Sequence, residues 1–136
     1  MKTAVIVDID GTVAHRTNRD PFEYNKVLHD APDKNVIEVV SALWHAGHKI
    51  IFVSAREDWC FDDTYRWLTL YCPPFIKLHM RKSGDTRRDS EVKKEIYETL
   101  IKPNYEVLCV LDDRNQVVDM WRELGLKTLQ VAYGDF

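Results

Sequence analysis

Ala-Val-Ile-Val-Asp-Ile-Asp-Gly-Thr-Val-Ala, residues 4–14, carries the clearest structural and chemical signal in this chain. Residues 4–7 are apolar and mostly β-branched, which predicts a strand buried on both faces. The carboxylates Asp8 and Asp10 follow at once, and Gly11 lets the backbone turn after them. Because open α/β sheets bind ligands at the carboxyl ends of their strands, this acidic pair marks a candidate site.

Carboxylates as close as Asp8 and Asp10 repel each other, so the pair needs a cation or a shared proton. Mg²⁺ is the expected cation, because it prefers hard oxygen ligands and sites that it shares with phosphate. The alternative is an Asp-rich turn after an edge strand. Turn preferences explain Gly11 but not the strongly apolar strand before it, so we favour the metal site.

The composition is that of an ordinary soluble protein, with 45% hydrophobic and 30% charged residues. A length of 136 residues predicts one domain, 1–136, with a real core. The net charge of -3 excludes a generally basic nucleic-acid binder. No signal peptide or membrane-spanning run is evident, so we expect a cytoplasmic protein without membrane contact. Three cysteines without metal-type spacing agree with a reducing compartment: Cys60, Cys72 and Cys109.

Apolar runs alternate with helical patterns along the chain. The predicted strands are 4–7, 49–54, 75–80, 105–111 and 127–132, and the predicted helices are 36–44, 58–71, 90–100 and 116–124. Strand–helix–strand order implies right-handed crossovers between parallel strands. We therefore expect an α/β fold, a Rossmann-like three-layer sandwich around a five-stranded, mainly parallel sheet. Asp33 or Asn35 is the expected cap of the first helix.

Residues 13–34 form a long polar connection just after the acidic pair, and such connections are usually functional or mobile. We expect this segment to form a flap over the site. Arg16 and Arg19 can reach a substrate anion from it, and the alternative for both is a solvated loop charge. The aromatic residues of 58–71 are expected in the core, with Trp59 and Tyr65 left open as base-stacking candidates.

Polar side chains follow the second and fourth strands too. Ser54 can donate a hydrogen bond to a phosphoryl oxygen, and Arg56 can pair with a phosphate through two hydrogen bonds. The alternative for Ser54 is a helix cap. Asp112 and Asp113 are a second acidic pair at a strand end, and two such pairs on parallel strands favour one metal site.

A basic cluster at 81–90 precedes the third helix, and its cations can face the same edge of the sheet. Only one of the adjacent Lys93 and Lys94 can point into the site, and the residues alone do not choose between them. Carboxylates that hold Mg²⁺ and converging cations are what phosphoryl transfer needs. The sequence has no P-loop motif, and no serine or cysteine lies beside an evident base, which leaves an aspartate as the nucleophile.

Four ordered segments resemble the motifs of the haloacid-dehalogenase (HAD) superfamily: Asp-Ile-Asp-Gly-Thr (8–12), Val-Ser-Ala-Arg (53–56), Lys93 on a helix, and Leu-Asp-Asp-Arg (111–114). Longer segments are similar to the 3′-phosphatase domain of bacteriophage polynucleotide kinase: Gly-Asp-Thr-Arg-Arg-Asp (84–89), Asp-Asp-Arg-Asn-Gln-Val-Val-Asp-Met-Trp-Arg (112–122) and Gln-Val-Ala-Tyr-Gly-Asp-Phe (130–136). The likeness covers essentially the whole chain. No large cap insertion separates the motifs.

The resemblance implies a role for each matching position. Asp8 is the expected nucleophile, and Asp10 is the expected general acid and base, whose backbone carbonyl also binds the metal. The resemblance assigns Asp112 and Asp113 to the Mg²⁺ site and chooses Lys93 over Lys94 as the partner of Ser54 in holding phosphate. The arginines that match positions near the phage site are Arg19, Arg56, Arg81 and Arg114.

The function that the resemblance implies is a Mg²⁺-dependent polynucleotide 3′-phosphatase that acts through an aspartyl-phosphate. Its substrate is a 3′-phosphorylated DNA or RNA end, with 2′,3′-cyclic phosphates as a further target, in nucleic-acid end repair. The alternatives are a HAD-type nucleotide or small-molecule phosphomonoesterase, and a non-catalytic module that binds nucleic-acid ends. A separate kinase or ligase is the expected partner, and host cytoplasm is the expected location if the chain is phage-encoded. The phage enzyme has an amino-terminal kinase domain, so this chain is either free-standing or an excised domain.

Overall fold

The structure, a computed structural model, describes residues 1–136. In chain order the elements are β1 (Lys2–Val7), β2 (Ala14–His15), β3 (Ala31–Pro32), α1 (Lys34–His45), β4 (Lys49–Glu57), α2 (Phe61–Tyr71), β5 (Lys77–Arg81), α3 (Asp89–Ile96), β6 (Tyr105–Asp112), α4 (Asn115–Glu123) and β7 (Thr128–Gln130). Short 3₁₀ helices span Tyr24–His29 and Asp58–Cys60, and a π-helical turn, Tyr97–Ile101, continues α3.

Five of the strands form one sheet in the order β5-β4-β1-β6-β7, and every neighbouring pair is parallel. This confirms the predicted α/β fold and its five-stranded sheet. The central strand is β1, and β4 and β6 lie on either side of it. The carboxyl ends of these three strands therefore lie together at one edge, which brings their polar ends within reach of one another.

The sheet is buried on both faces because successive side chains of each strand point to opposite sides. Val5 and Val7 belong to one apolar cluster, which also contains Val40 of α1 and Trp67 of α2. The intervening side chains of β1, Ala4 and Ile6, belong to a second cluster, which also contains Val92 of α3 and Trp121 of α4. Helices thus cover both faces, which confirms the predicted three layers.

Several predicted boundaries differ from the observed ones. The second strand continues through Ser54 to Glu57, and the fifth is shorter than predicted because regular pairing ends at Gln130. The third strand begins at Lys77 rather than at residue 75, because its regular pairing with β4 starts at the pair Ile51–Lys77. Asp33, not Asn35, caps α1, since its side chain accepts from the Val36 amide at 3.1 Å.

The segment 13–34 is more regular than the expected polar flap. Its ends pair as the antiparallel strands β2 and β3, and the 3₁₀ helix between them buries Tyr24 and Val27. Apolar side chains therefore fasten this segment to the rest of the molecule, and its position in the structure is that of a wall beside the end of β1. Among the helices, none combines the length and the apolar character needed to cross a membrane.

Candidate active site

A cavity of about 1060 Å³ opens at the carboxyl edge of the sheet. The predicted site residues that line it are Asp8, Asp10, Arg19, Arg56, Arg81, Lys93, Asp112, Asp113 and Arg114. They come from four strand ends, from α3 and from the wall 13–34. Ser54 is not among the lining residues, and its hydroxyl oxygen accepts the Arg56 amide at 3.1 Å. Its proposed hydrogen bond to phosphate stays a prediction.

At the floor of the cavity, Lys93 joins the two acidic strand ends. Its Nζ donates to Asp8 Oδ1 at 2.7 Å and to Asp112 Oδ2 at 3.1 Å. The Thr12 hydroxyl donates to the other oxygen of Asp8 at 2.9 Å. Lys93 is buried whereas Lys94 is exposed, because adjacent helical residues point in different directions. The structure thus brings together Asp8, Asp112 and the lysine that the resemblance chose.

The balance of burial and charge at the floor raises the pKa of both Asp8 and Lys93. Burial, followed by the charge of Asp112, raises the pKa of Asp8 well above its ordinary value, although Lys93 opposes this. Burial alone lowers the pKa of an amine, but the charges of Asp112 and Asp8 outweigh it and raise the pKa of Lys93. Lys93 is therefore a permanent cation that offsets only part of the negative charge around it.

Three of the buried carboxylates fit a divalent cation. Asp8, Asp112 and Asp113 each offer one oxygen, and these oxygens all lie within 4.8 Å of one another. Three carboxylates against one lysine leave an excess of negative charge in a buried place, and hard oxygen donors are the ligands that Mg²⁺ prefers. The donor set therefore fits the expected Mg²⁺. That the Asp10 carbonyl also binds the metal stays a prediction.

The backbone around these acids is closely packed. Gly11 has a φ of +80°, which strains any other residue, and a Cβ there would lie 2.1 Å from Asp113 Oδ2 and would displace that carboxylate. Asp112 is oriented by the Asp113 amide, which donates to its Oδ1 at 2.9 Å, and by the Trp121 indole, which donates to its Oδ2 at 3.2 Å. Trp121, a fully buried residue of α4, therefore also positions a carboxylate.

Asp10 lies between two arginines above the floor. Arg56 donates from Nε to Oδ2 at 2.9 Å and from Nη2 to Oδ1 at 2.8 Å, and Arg19 donates from Nη2 to Oδ1 at 3.1 Å. Burial opposes ionisation of Asp10, but the charge and hydrogen bonds of Arg56, with the charge of Arg19, outweigh it and lower its pKa. The carboxylate is thus held ionised and in one orientation.

Arg56 and Arg19 were predicted to bind phosphate, and in the structure they bind protein carboxylates instead. Arg56 is fully buried, and its remaining donors contact Thr64 Oγ1 at 3.0 Å and Asp30 Oδ2 at 2.9 Å. Arg19 donates from Nε to Asp30 Oδ1 at 2.8 Å. A guanidinium has five N–H groups, and protein groups accept all five of those of Arg19 and four of those of Arg56, so few donors are left for a substrate. Their direct contact with phosphate remains untested.

Asp30 and Asp89 are site residues that the sequence reasoning missed. Asp30 is buried in the wall segment and accepts from both Arg19 and Arg56. Asp89, at the start of α3, accepts from Arg81 Nη2 at 2.7 Å and also from Arg114. No local pattern distinguishes either acid from a solvated loop charge, and only the arrangement of distant arginines gives it a role.

The family model described as the polynucleotide kinase PNKP phosphatase domain matches residues 2–136, nearly the whole chain. The chain belongs to this family. It is therefore a phosphatase domain of the HAD superfamily, with the acids of the family motif at the edge of the sheet just described. The match confirms the family to which the sequence was assigned.

Two known proteins are similar to this chain in sequence. The chain is 38% identical over 129 residues to a putative bifunctional polynucleotide kinase/RNA ligase of Autographa californica nuclear polyhedrosis virus. The matched region covers 93% of this chain and 19% of the viral protein. It is 41% identical to a chain in the structure of a Pnkp1/Rnl/Hen1 RNA repair complex, with a TM-score of 0.95 over 99% of this chain and 44% of that chain. The chain thus spans less than half the length of either relative.

More distant phosphatases share the fold alone. One is the D,D-heptose 1.7-bisphosphate phosphatase of B. bronchiseptica, in complex with magnesium and phosphate, at a TM-score of 0.62 and 12% identity over 96% of this chain and 80% of that one. Another is the class C acid phosphatase of Bacillus anthracis, at a TM-score of 0.67 and 17% identity over 98% of this chain and 66% of that one. The phosphatase-domain family therefore shares its sheet with enzymes of other substrates.

Proposed function

We propose that this phosphatase domain is a Mg²⁺-dependent polynucleotide 3′-phosphatase and that one domain, residues 1–136, carries the activity. The observation that supports this most directly is the contact of Lys93 with Asp8, on the floor of a cavity that Asp10 also lines. A nucleophile, a phosphate-binding cation and a proton-transfer group thus share one space. Such an arrangement serves phosphoryl transfer by positioning and charge neutralisation.

Asp8 is the proposed nucleophile. One of its carboxylate oxygens attacks phosphorus and forms a P–O bond, while the bond between phosphorus and the 3′-oxygen of the nucleic acid breaks. Lys93 and Thr12 contact opposite oxygens of Asp8, so they hold the carboxylate in one orientation for the attack. Water then attacks the aspartyl-phosphate, which releases inorganic phosphate and restores Asp8.

Asp10 is the proposed proton-transfer group. It gives a proton to the departing 3′-oxygen and takes one from the attacking water in the second step. Because Arg56 and Arg19 favour its ionised form, the structure represents the form that accepts a proton. Donation in the first step requires Asp10 to be protonated beforehand, which weakens its hydrogen bonds to the two arginines. The arginines therefore position Asp10 for its second task.

The proposed Mg²⁺ would be held by the carboxylates of Asp8, Asp112 and Asp113, and we propose the Asp10 carbonyl as a further ligand. When bound, it supplies positive charge that neutralises the acids and the phosphate. Lys93 contributes a second positive charge, which the surrounding carboxylates keep permanent at neutral pH. Ser54 is proposed to donate its hydroxyl hydrogen to a phosphoryl oxygen, and that hydrogen is free because the Ser54 oxygen only accepts from the Arg56 amide.

A polynucleotide end, DNA or RNA, is the proposed substrate because the cavity is large and is lined by both the wall 13–34 and residues 81–89. Two of its lining arginines, Arg81 and Arg114, share the single carboxylate of Asp89, so the pair leaves a net positive charge in the cavity wall. A 2′,3′-cyclic phosphate is a further proposed target. One relative is named as a putative polynucleotide kinase/RNA ligase, and the other is part of an RNA repair complex. We therefore propose that a kinase and a ligase act alongside this domain, in the cytoplasm.

The test is phosphate release from matched 3′-phosphorylated DNA and RNA oligonucleotides, their 5′-phosphorylated counterparts, 3′-mononucleotides and a small phosphate ester, each with Mg²⁺ or with chelator. We expect Mg²⁺-dependent release from the 3′-phosphorylated oligonucleotides at a higher kcat/KM than from any other substrate. Equal efficiency on mononucleotides would favour the small-molecule phosphatase. Tight binding of 3′-phosphorylated ends without any hydrolysis in Mg²⁺ would favour the non-catalytic module.

A further inference from the structure

The segment 133–136 folds back over the start of α4 and reaches the cavity. The Gly134 carbonyl accepts the Asn115 amide at 2.8 Å. The backbone oxygen of Phe136 accepts from Arg114 Nε at 2.7 Å and from Gln116 Nε2 at 3.3 Å. These three hydrogen bonds fix the segment to residues that directly follow the Asp112–Asp113 pair.

Gly134 lies so close to the acidic strand end that no other residue fits. A Cβ at this position would be 2.2 Å from the Asp113 carbonyl oxygen and 2.9 Å from Arg114 Cα. Both of these are backbone atoms, which cannot move aside as the end of a side chain could. The segment is therefore held against the backbone of Asp113, a proposed metal ligand, so it has a fixed position relative to the active site.

The aromatic ring at the end of this segment lines the cavity. Phe136 is 66% exposed, and the Arg114 guanidinium carbon lies 5.1 Å from the centre of its ring. A cation at this distance attracts a ring face and restrains it. Tyr133, in the same segment, is 83% exposed and does not line the cavity. An apolar ring that is fixed, exposed and beside a phosphate-handling site is placed for contact with a ligand.

We propose that Phe136 stacks on the base of the 3′-terminal nucleotide, a role that rests on the proposed function. The base of that nucleotide is joined to the scissile phosphate through one sugar, so it must lie at the edge of the cavity when the phosphate lies on Asp8. Aromatic side chains hold bases of any sequence through their π-faces. Stacking on Phe136 would thus give the domain its preference for a nucleotide end without a preference for one base.

Phe22 is the competing candidate for the same contact. It is 81% exposed, and it also lines the cavity from the wall segment. Its ring has one aromatic neighbour, Tyr24, at a centroid distance of 6.4 Å in an edge-on arrangement. Phe136 is the stronger candidate because hydrogen bonds fix its backbone and a cation restrains its ring, so less freedom is lost when a base binds.

The experiment compares Phe136→Ala, Phe136→Leu and Phe136→Trp with Phe22→Ala and with the matched control Tyr133→Ala. Each variant is assayed on a 3′-phosphorylated oligonucleotide, on the same oligonucleotide with an abasic 3′-terminal nucleotide, and on p-nitrophenyl phosphate. Removal of one stacking contact is expected to lower kcat/KM on the intact oligonucleotide by about fivefold to a hundredfold. We expect most of this loss in KM.

The substrate pattern separates stacking from a general disturbance. Phe136→Ala should lose much more efficiency on the intact oligonucleotide than on the abasic one or on the small ester, Phe136→Trp should restore it, and Phe136→Leu should not. Three outcomes would overturn the proposal. Phe136→Ala could lose kcat/KM equally on all three substrates, or Phe136→Leu could keep the full kcat/KM of the unaltered domain. The third outcome is a loss that depends on the base and occurs only in Phe22→Ala. If the unaltered domain itself shows no preference for oligonucleotides, it is the proposed function that fails.

Discussion

The carboxylate of Asp10 and the guanidinium of Arg56 form a two-point ion pair, with N–O distances of 2.9 and 2.8 Å. The two residues are 46 positions apart, and they meet because β1 and β4 are neighbours in the sheet. The planar fork of arginine matches both oxygens of a carboxylate at once, and the compact ammonium of lysine does not. The orientation of Asp10 therefore depends on the residue type at position 56.

Arg56→Lys should lower kcat by about tenfold or more, with a smaller change in KM, because Asp10 loses one of the contacts that orient it for proton transfer. The measurement is steady-state kinetics on a 3′-phosphorylated oligonucleotide. Arg66→Lys is the matched control, since Arg66 is exposed on α2. A rise in KM with unchanged kcat would instead identify Arg56 as a substrate ligand, as the sequence first suggested.

Asp8→Asn should abolish turnover because the amide oxygen is a poor nucleophile and cannot form the acyl-phosphate. The structure predicts little loss of folding stability, since the change removes one of three mutually repelling carboxylates. Turnover and thermal unfolding are measured on the same samples, with Asp62→Asn at an exposed position of α2 as the control. Substantial activity in Asp8→Asn would refute the assigned nucleophile.

Mg²⁺ should raise the Tm of the domain, because a ligand that binds only the folded state stabilises it by mass action. In Asp113→Asn, relief of repulsion should raise the Tm without metal, and the increment on adding Mg²⁺ should shrink. Asp119→Asn, exposed on α4, should keep the full increment. The scan is differential scanning fluorimetry over a Mg²⁺ titration, with chelator as the zero point. An undiminished increment in Asp113→Asn would remove it from the metal site.

Gly11→Ala should unfold more easily and lose activity by tenfold or more. The positive φ costs about 1 kcal/mol or more in the free energy of unfolding, and the new Cβ also displaces Asp113 Oδ2. Gly125→Ala is the matched control, since its φ of +83° is similar and no atom lies within 4 Å of the added Cβ. It should show the conformational cost without the loss of activity. Equal activity in the two variants would show that the contact with Asp113 is unimportant.

Asp33→Ala should lower the free energy of unfolding by about 1 kcal/mol at pH 7, as expected for loss of an N-cap. The hydrogen bond from His15, together with the Val36 amide, lowers the pKa of Asp33 below its ordinary 3.8 although burial opposes the shift. The folded state therefore favours the ionised form, so the contribution is complete above pH 3.8 and is lost as the pH falls through the lower folded-state pKa. Urea unfolding at pH 7 and at pH 3 checks this, with Asn35→Ala as the control that keeps the cap.

The sheet and its acids could be predicted because each strand has a recognisable local sequence pattern. An apolar β-branched run followed by carboxylates, as at Asp8 and Asp112, defines both the strand and the edge at which it ends. The continuation of the strand past Ser54 was missed because Arg56 and Glu57 are charged and the single Ala55 is not β-branched, so nothing local shows that the strand continues. The early end of the last strand was also missed, because Val131 continues the apolar pattern after regular pairing has ended at Gln130.

The partners of the arginines could not be predicted. Arg56 at a strand end has the same local sequence whether it binds a substrate phosphate or a protein carboxylate, and Asp30 settles the matter only through folding of the wall segment. Lys93 and Lys94 are likewise indistinguishable in sequence, and the choice between them follows from which face α3 turns to the sheet. The roles of these residues depend on contacts with partners that are distant in the sequence, whereas hydrophobic periodicity predicts only local structure.

Because every strand of the main sheet runs in the same direction, all the chemistry lies at one end of the molecule and the other end is left free of it. The turns that enter β4, β6 and β7 contain residues 46–48, 102–104 and 124–127, and none of them lines the cavity. A fluorophore, an affinity handle or an attachment to a solid support placed in one of these turns would leave the entrance unobstructed. The domain could thus be immobilised with its catalytic end facing the solution.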